Sequence, residues 1–394
     1  MALAWFRTVT KSMAGPAVAA CLLTTTASAR AQEPIARGVV VDPVKCVGDP
    51  AQSYALFLPS AYSPDRGWRL LLAFHPAARG RQMAEKYQAA AERYGYIIAA
   101  SNNARNGPHA VSAAAAQAVG ADVSRRFAID PRRIYLTGFS GGARVALSLA
   151  LANASIAGVI ASGAGYPDNA PRKQVNFAIF GTAGVEDFNY LEMRELDRAL
   201  ASPHYLAVFP GGHTLPPDDV AMEAIEWLEI EAMASGRRDR DEALARSILE
   251  KRRAQAASAP SPAQAVYRLD ALIRDFRALF DVSADVKRLD VLRRQKEVRK
   301  AMDRERRLEE NEARMRDEIL RLEAQLGDVD RRLLALSELN TLVGRLSRQA
   351  GETADTPERG QARRVLRSMA AAARERTSDK EYVSLLERHA TFAP

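Results

Sequence analysis

The chain has 394 residues, 47% of them hydrophobic, which is enough to bury the core of more than one structural unit. Its formal net charge is +8, but basic and acidic residues are interleaved, with no lysine-rich tract and no arginine run interleaved with aromatic residues. Composition and charge therefore argue against a nucleic-acid-binding protein. No segment after the first thirty residues is apolar for the roughly 18 residues that a membrane span needs.

The N-terminus has the order of a secretory signal peptide. A short basic stretch with Arg7 and Lys11 precedes an apolar run and a segment of small residues. Cleavage after Ala29 or Ala31 would follow the small-x-small rule of signal peptidase. We therefore expect residues 1–31 to be a signal peptide and the mature protein to be periplasmic or secreted from a bacterium.

The two cysteines add one alternative. The segment Val18–Cys21 also resembles a lipoprotein box, which would place a lipid anchor on Cys21. After ordinary cleavage Cys46 alone remains, and one thiol cannot form an internal disulfide. Stability is then expected to come from packing.

Residues 39–235 alternate short apolar runs with helical patterns. We predict strands at 53–59, 69–74, 95–100, 133–137, 156–161, 175–180 and 205–209, and helices at 81–94, 111–127, 143–152, 190–201 and 220–233. Strands separated by helices of this length pair in parallel, and their continuous apolar runs indicate a sheet buried on both faces. The sequence therefore predicts an α/β domain with a mostly parallel central sheet, whose ligand site lies at the carboxyl ends of the strands.

The character of the chain changes after Ser235. Residues 236–263 are polar and end in an Ala-, Ser- and Pro-rich stretch, which predicts a linker, and residues 264–394 show no strand signals, which predicts an all-α, partly coiled-coil region. An apolar seam steps by four and three through Met315, Ile319, Leu322, Leu326, Val329, Leu333 and Leu336.

Two features of this seam leave more than one arrangement of its helices possible. Upstream the same frame admits Glu305 and Glu312, so the seam is discontinuous there. Gly327-Asp328 is either a turn between antiparallel helices or a weak point in one long helix. The helices either fold back on their own chain or serve self-association or a protein partner.

The strongest chemical signal is Gly138-Phe139-Ser140-Gly141-Gly142, between a predicted strand and a predicted helix. A sharp strand-to-helix turn lifts a serine hydroxyl above the sheet and needs small neighbours. The helix behind it directs backbone amides toward a developing oxyanion. We interpret Ser140 as a nucleophile and the amide of Gly141 as one oxyanion donor.

A serine needs a base, and His213 is the best placed of the five histidines. It follows Gly211 and Gly212 in the loop between the last predicted strand and the last helix. The third group should be a carboxylate after the preceding strand, where Glu186 and Asp187 are available. We favour Asp187, because an aromatic residue and an asparagine follow it at a helix start; its alternative role is the N-cap of that helix.

Two earlier loops complete the predicted site. His75-Pro76-Ala77 occupies the place of the second oxyanion donor, and because proline has no amide hydrogen the donor would be Ala77 or Ala78. Asn102 and Asn103 follow another strand and are either substrate-binding residues or turn residues. This chemistry needs neither a metal nor a cofactor.

The elbow, the Gly-Gly-His loop and the His-Pro-Ala loop together resemble bacterial α/β hydrolases of the polyhydroxybutyrate depolymerase, feruloyl esterase and dienelactone hydrolase group, over about residues 44–234. The resemblance implies an eight-stranded sheet and ester hydrolysis through an acyl-enzyme, with Ser140 as nucleophile and His213 as base. Many members carry His-Gly-x-x-Asp at the acid loop, where this chain has Gly184, and His-Gly in place of His75-Pro76. Either Asp187 substitutes from a longer loop or the triad is incomplete.

Two hypotheses of different classes follow. The first is an exported carboxylesterase acting on a small-molecule or polymeric ester through Ser140. The second is an envelope protein with a catalytically degenerate hydrolase fold, which acts as a binding or scaffold module through its helical tail.

Overall fold

The computed structural model describes residues 35–375 and 379–388. The predicted signal peptide, with Cys21, lies outside these residues. The chain divides into two compact units, residues 1–135 and 136–394, and the division falls inside strand β5. Within the described residues, no helix is both long enough and apolar enough to cross a membrane.

The first unit contains the amino-terminal strands and two helices. Its elements are β1 (Val40–Lys45), β2 (Ser53–Phe57), β3 (Trp68–Phe74), α1 (Gly80–Tyr94), β4 (Tyr96–Ser101), α2 (His109–Arg126) and the start of β5 (Ile129–Phe139). Strand β2 pairs antiparallel with β1 and with β4, and β3 pairs parallel with β4. The strand order here is β1-β2-β4-β3-β5.

Strand β1 was not predicted from the sequence. It contains Pro43, which cannot donate a ladder hydrogen bond, and its register shifts between Val41 and Val44. Within sheets, proline is found on edge strands, at the first residue of a strand and at bulges, and bulges are enriched at sheet edges. The alternation of apolar and polar residues that marks a strand in a sequence is therefore interrupted in β1.

The second unit continues the sheet and carries all the remaining helices. Its elements are the end of β5, α3 (Gly141–Ala152), β6 (Ile156–Ser162), β7 (Ala178–Gly184), α4 (Tyr190–Ala199), β8 (His204–Phe209), α5 (Asp218–Ala234), α6 (Glu242–Ala257), α7 (Pro262–Phe276), α8 (Ser283–Arg294), α9 (Lys296–Gln325), α10 (Arg332–Ala350), α11 (Pro357–Glu375) and α12 (Lys380–Glu387). Strand β7 pairs parallel with β6 and with β8, and the order β5-β6-β7-β8 completes a mostly parallel sheet of eight strands. The predicted α/β class is confirmed.

Strand β7 lies further along the chain than predicted. It ends at Gly184 rather than at residue 180, and all its residues are buried. A Cβ atom built on Gly184 would lie 2.3 Å from the carbonyl oxygen of Gly212 and 2.4 Å from that of Gly211. Glycine here allows the strand to approach the neighbouring loop closely, whereas in the sequence it was interpreted as part of a loop.

The segment predicted as a linker, 236–263, instead contains helix α6. Ala245, Ile248 and Leu249 recur at helical spacing and are buried in a cluster with Phe276 of α7. The Asp241 side chain accepts a hydrogen bond from the Leu244 amide and caps the helix. The polar composition of the segment concealed this short apolar stripe.

Helices α9 to α12 share one hydrophobic cluster, in which Ile319, Leu322 and Leu326 pack with residues of α10, α11 and α12. The predicted seam is interrupted at Val329 and Leu333, which are 90% and 79% exposed, and Leu336 packs against the cluster again. Gly327-Asp328 lies in the turn between α9 and α10. The described residues confirm an all-α region but do not establish a coiled coil.

Candidate active site

Ser140 is the single residue between β5 and α3. Its backbone has φ 52° and ψ −122°, and its N–H donates to the Ser162 carbonyl oxygen at 2.8 Å. A non-glycine residue at positive φ costs on the order of 1–3 kcal/mol and persists only where the surrounding structure enforces it. A Cβ atom on Gly138 would lie 2.1 Å from the Gly142 carbonyl oxygen, so the turn accepts only glycine there. This is the strained strand-to-helix turn that the motif predicts.

His213 lies beyond β8, with its Nε2 atom 2.9 Å from Ser140 Oγ. The imidazole contacts the rings of Phe139 and Phe188, at centroid distances of 4.8 Å and 4.1 Å. Its side chain is 16% exposed. The two aromatic rings restrict the orientation of the imidazole and shield much of it from water.

Asp187 completes a line of three side chains. Its Oδ1 atom lies 2.9 Å from His213 Nδ1 and also accepts the Asn189 N–H at 2.8 Å, and the residue is fully buried. Asn189 is the N-cap residue of α4 and makes no side-chain capping bond. Asp187 therefore forms the turn before the helix and faces the imidazole with the same oxygen. The alternative that Asp187 is the N-cap of this helix is wrong, because Asn189 occupies that position.

Glu186, the other candidate acid, has different partners. Its carboxylate lies 2.8 Å from Arg363 Nη1 and 3.0 Å from Arg367 Nη1. Burial raises the pKa of Glu186. The bond to Arg363 and the charges of Arg363 and Arg367 together lower this pKa by more than burial raises it, so the net shift is downward. Glu186 is therefore an ionised partner of arginines from α11.

Gly163, which was not predicted, lies directly beside the His213–Asp187 pair. It has φ 66°, and a Cβ atom there would lie 3.0 Å from Asp187 Oδ2 and 3.2 Å from His213 Cε1. Its carbonyl oxygen accepts a bond from Asn189 Nδ2 at 2.7 Å. A lone glycine after a strand carries no sequence signal for such a position.

The acid loop, which we define as Val185–Phe188, is tied to the histidine loop through backbone amides. The Val185 N–H donates to the Phe209 carbonyl oxygen at 2.9 Å, and the Glu186 N–H donates to that of Gly211 at 2.8 Å. The loop also contacts arginines of α9 and α11, and the sequence analysis does not predict these contacts. The sequence signal for these contacts is Glu312, a carboxylate at a position of the apolar helical seam. Glu312 is fully buried.

The remaining predicted site residues belong to the first unit. The Ala77 N–H donates to His75 Nδ1 at 3.0 Å. Burial, and then the charge of Arg79, lower the pKa of His75 to about 4, so its imidazole is neutral and able to accept this bond. Ala78 has φ 55°.

Both predicted substrate-binding asparagines make hydrogen bonds within the first unit. Asn102 Nδ2 donates to Asp42 Oδ1 at 2.7 Å. Asn103 Oδ1 accepts the Ser53 N–H at 2.9 Å, and its Nδ2 donates to the Ala51 carbonyl oxygen at 3.2 Å. Asn103 thus supports the backbone at the start of β2, and Asn102 binds a side chain of β1.

Ser140, Gly141, Asp187 and His213 all belong to the second unit, and the three side chains among them form one continuous hydrogen-bonded line. Both heavy-atom distances are within the range needed for proton transfer. Gly141 is the first residue of α3, where a helix leaves its amides without carbonyl partners of its own. The arrangement can activate a hydroxyl and stabilise negative charge beside it.

No family model matches the chain, and a search of curated proteins found no match. Among solved structures it is similar to a thermostable esterase, with 18% identity, a TM-score of 0.36 and coverage of 48% of this chain; it spans 62% of that esterase's length. It is also similar to S-formylglutathione hydrolase from Staphylococcus aureus (15% identity, TM-score 0.38, 48% of this chain and 96% of that one). Est1E from Butyrivibrio proteoclasticus matches at 14% identity and a TM-score of 0.38, over 50% of this chain and 99% of that one.

Proposed function

We propose that this protein is an exported serine hydrolase that cleaves carboxylic esters through an acyl-enzyme on Ser140. The observation that carries the proposal is the hydrogen-bonded line itself. Ser140 Oγ lies 2.9 Å from His213 Nε2, and His213 Nδ1 lies 2.9 Å from Asp187 Oδ1. These are the contacts that a nucleophile, its base and an orienting carboxylate require.

The chemistry follows from the roles of the three side chains. Ser140 Oγ attacks the ester carbonyl carbon while His213 Nε2 takes the hydroxyl proton, and Asp187 stabilises the resulting imidazolium. The amide of Gly141, at the N-terminus of α3, stabilises the oxyanion. His213 then protonates the departing alcohol. In the second half, His213 deprotonates a water molecule that attacks the acyl carbon, and the imidazolium returns this proton to Ser140 Oγ as the bond to the acid breaks.

The predicted second oxyanion donor, Ala77, stays a prediction. The scaffold hypothesis was motivated by Gly184 at the place where related sequences carry an aspartate. This argument for the scaffold hypothesis is weaker because Asp187 supplies a buried carboxylate bonded to His213.

We expect a fluorophosphonate probe to label the wild-type protein and to leave Ser140→Ala unlabelled, because only an activated serine attacks the phosphorus. Ser337→Ala is the matched control, since Ser337 is exposed on α10, and it should label like the wild type. A panel of p-nitrophenyl esters of increasing chain length then measures the acyl preference. Folded wild-type protein that neither labels nor hydrolyses any ester would favour the scaffold hypothesis, and labelling that persists in Ser140→Ala would exclude Ser140 as nucleophile.

The export part of the proposal rests on the first thirty-one residues. A precursor expressed in bacteria should be found outside the cytoplasm with a mature N-terminus at Arg30 or Gln32, as read by N-terminal sequencing. Ala29→Arg should block both cleavages, because Ala29 is the last residue before one site and the third before the other. Lipid attached to Cys21 would instead indicate lipoprotein processing, and uncleaved protein in the cytoplasm would contradict export.

A further inference from the structure

Four arginines from the carboxyl-terminal helices surround the acid loop. We call them the arginine cluster: Arg316 of α9, and Arg363, Arg364 and Arg367 of α11. They are 128 to 181 residues away in sequence from the loop atoms that they contact. The helical tail and the proposed triad therefore meet at one short segment.

Three carbonyl oxygens of this four-residue loop accept hydrogen bonds from the cluster. Arg364 Nη1 donates to the Val185 oxygen at 2.7 Å, Arg367 Nη1 to the Glu186 oxygen at 3.0 Å, and Arg316 Nη2 to the Phe188 oxygen at 2.7 Å. Bonds from a charged donor are stronger than neutral ones. The backbone on both sides of Asp187 is thus fixed by the tail.

The Glu186 side chain adds a second set of contacts. Its carboxylate pairs with Arg363 and with Arg367 at 2.8 Å and 3.0 Å. The Arg367 guanidinium also lies against Gly212, where a Cβ atom would come within 2.9 Å of its Nη1. Arg367 therefore contacts the residue before Asp187 and the residue before His213.

The cluster itself is held by buried charge. Arg364 binds Glu312, which is fully buried, and its guanidinium lies 4.5 Å from the ring centroid of Tyr190. Arg316 Nη2 also bonds Glu312 at 2.8 Å. Because Glu312 contacts arginines of both α9 and α11, it fixes the two helices that reach the loop.

We propose that the arginine cluster positions the acid loop so that Asp187 stays aligned with His213, which makes the helical tail a working part of the active site. The inference rests on the proposed function, because alignment matters only if His213 acts as a base. A shift of about 1 Å in a catalytic group costs up to roughly 100-fold in rate. The arginines touch no substrate and are positioning residues.

The test uses the full-length protein with Arg363→Gln, Arg367→Gln and the double variant. Arg364 is left intact, since its loss would leave the buried Glu312 carboxylate with Arg316 as its remaining cluster partner and destabilise the fold. We expect the double variant to lose about tenfold in kcat, which is roughly 1.4 kcal/mol, with KM within twofold. Arg304→Gln is the matched control: Arg304 also joins α9 to α11, through Glu358 at 2.9 Å, and its side chain is 61% exposed.

A second readout does not depend on ester hydrolysis. The His213 Nδ1 proton, bonded to Asp187, should give a low-field proton resonance in the wild type and in Arg304→Gln, and this resonance should broaden or disappear in the double variant. An unchanged resonance and kcat in the double variant would overturn the proposal, as would equal losses in Arg304→Gln or absence of the resonance from wild-type protein. If the wild type shows the resonance but hydrolyses no ester, the proposed function fails while the positioning role is still decided by the resonance.

Discussion

Replacing His213 by alanine is expected to lower kcat by roughly 10⁵- to 10⁶-fold against the preferred ester, because Ser140 then has no base for its proton. The imidazole lies 2.9 Å from Ser140 Oγ, within the distance that proton transfer requires. KM should change little, since proton transfer stabilises the transition state and not the bound ester. Steady-state kinetics on p-nitrophenyl esters measure both constants.

The double variant Ser140→Ala/His213→Ala sharpens this experiment. Residues that act as one unit are not additive, so the double variant should be no slower than either single variant. His109→Ala serves as a control for loss of an imidazole, since His109 is exposed at the start of α2. Activity of His213→Ala within tenfold of the wild type would exclude His213 as the base.

The elbow and the histidine loop could be predicted because their signals are local. Gly138 and Ser140 lie in one short motif, and the strained φ of Ser140 follows from the turn that the motif encodes. His213 was identified by chain order after the last strand. Buried strands such as β3, β4 and β6 were also clear, since apolar runs bounded by turns mark parallel strands directly.

Features that depend on tertiary contacts were not predictable in this way. Gly163 matters because of two side chains that reach it from Asp187 and His213, and neither is near it in sequence. The arginine cluster acts on a loop more than 120 residues away. An arginine in a helical pattern is typical of a solvated face, and the burial of Glu312 and Arg364 is a property of the folded structure.

The position of the acid residue shows how one displaced strand end changes the interpretation of a site. The motif of related sequences places Gly184 where they carry an aspartate, and with a strand predicted to end at residue 180 Gly184 would lie in the loop. The strand in fact ends at Gly184, so Asp187 lies three residues beyond it, in the usual place for a loop side chain. Gly184 is therefore the last residue of the strand, and the buried carboxylate bonded to His213 is that of Asp187.

Replacing Asp187 by asparagine is therefore expected to lower kcat by about 10⁴-fold. The asparagine amide would donate to His213 Nδ1, which places the proton on Nε2 and removes the lone pair that accepts the Ser140 proton. Because Oδ1 of Asp187 faces both His213 Nδ1 and the Asn189 N–H, an amide that turns its NH2 toward the imidazole gives up the bond to Asn189. The backbone bonds of Val185 and Glu186 should keep the shape of the loop, and circular dichroism and melting temperature should stay close to those of the wild type. Fluorophosphonate labelling rates measure the loss without depending on the acyl preference.

Two further variants decide whether the carboxylate at 187 is the required one. Glu186→Gln should cost no more than about tenfold, because that carboxylate pairs with Arg363 and Arg367 and not with His213. Gly184→Asp in the Asp187→Asn background should not restore activity, since a Cβ atom at 184 meets the carbonyl oxygens of Gly211 and Gly212 within 2.4 Å. Restoration by that aspartate would mean that position 184 can supply the acid, and a larger loss in Glu186→Gln than in Asp187→Asn would transfer the acid role to Glu186.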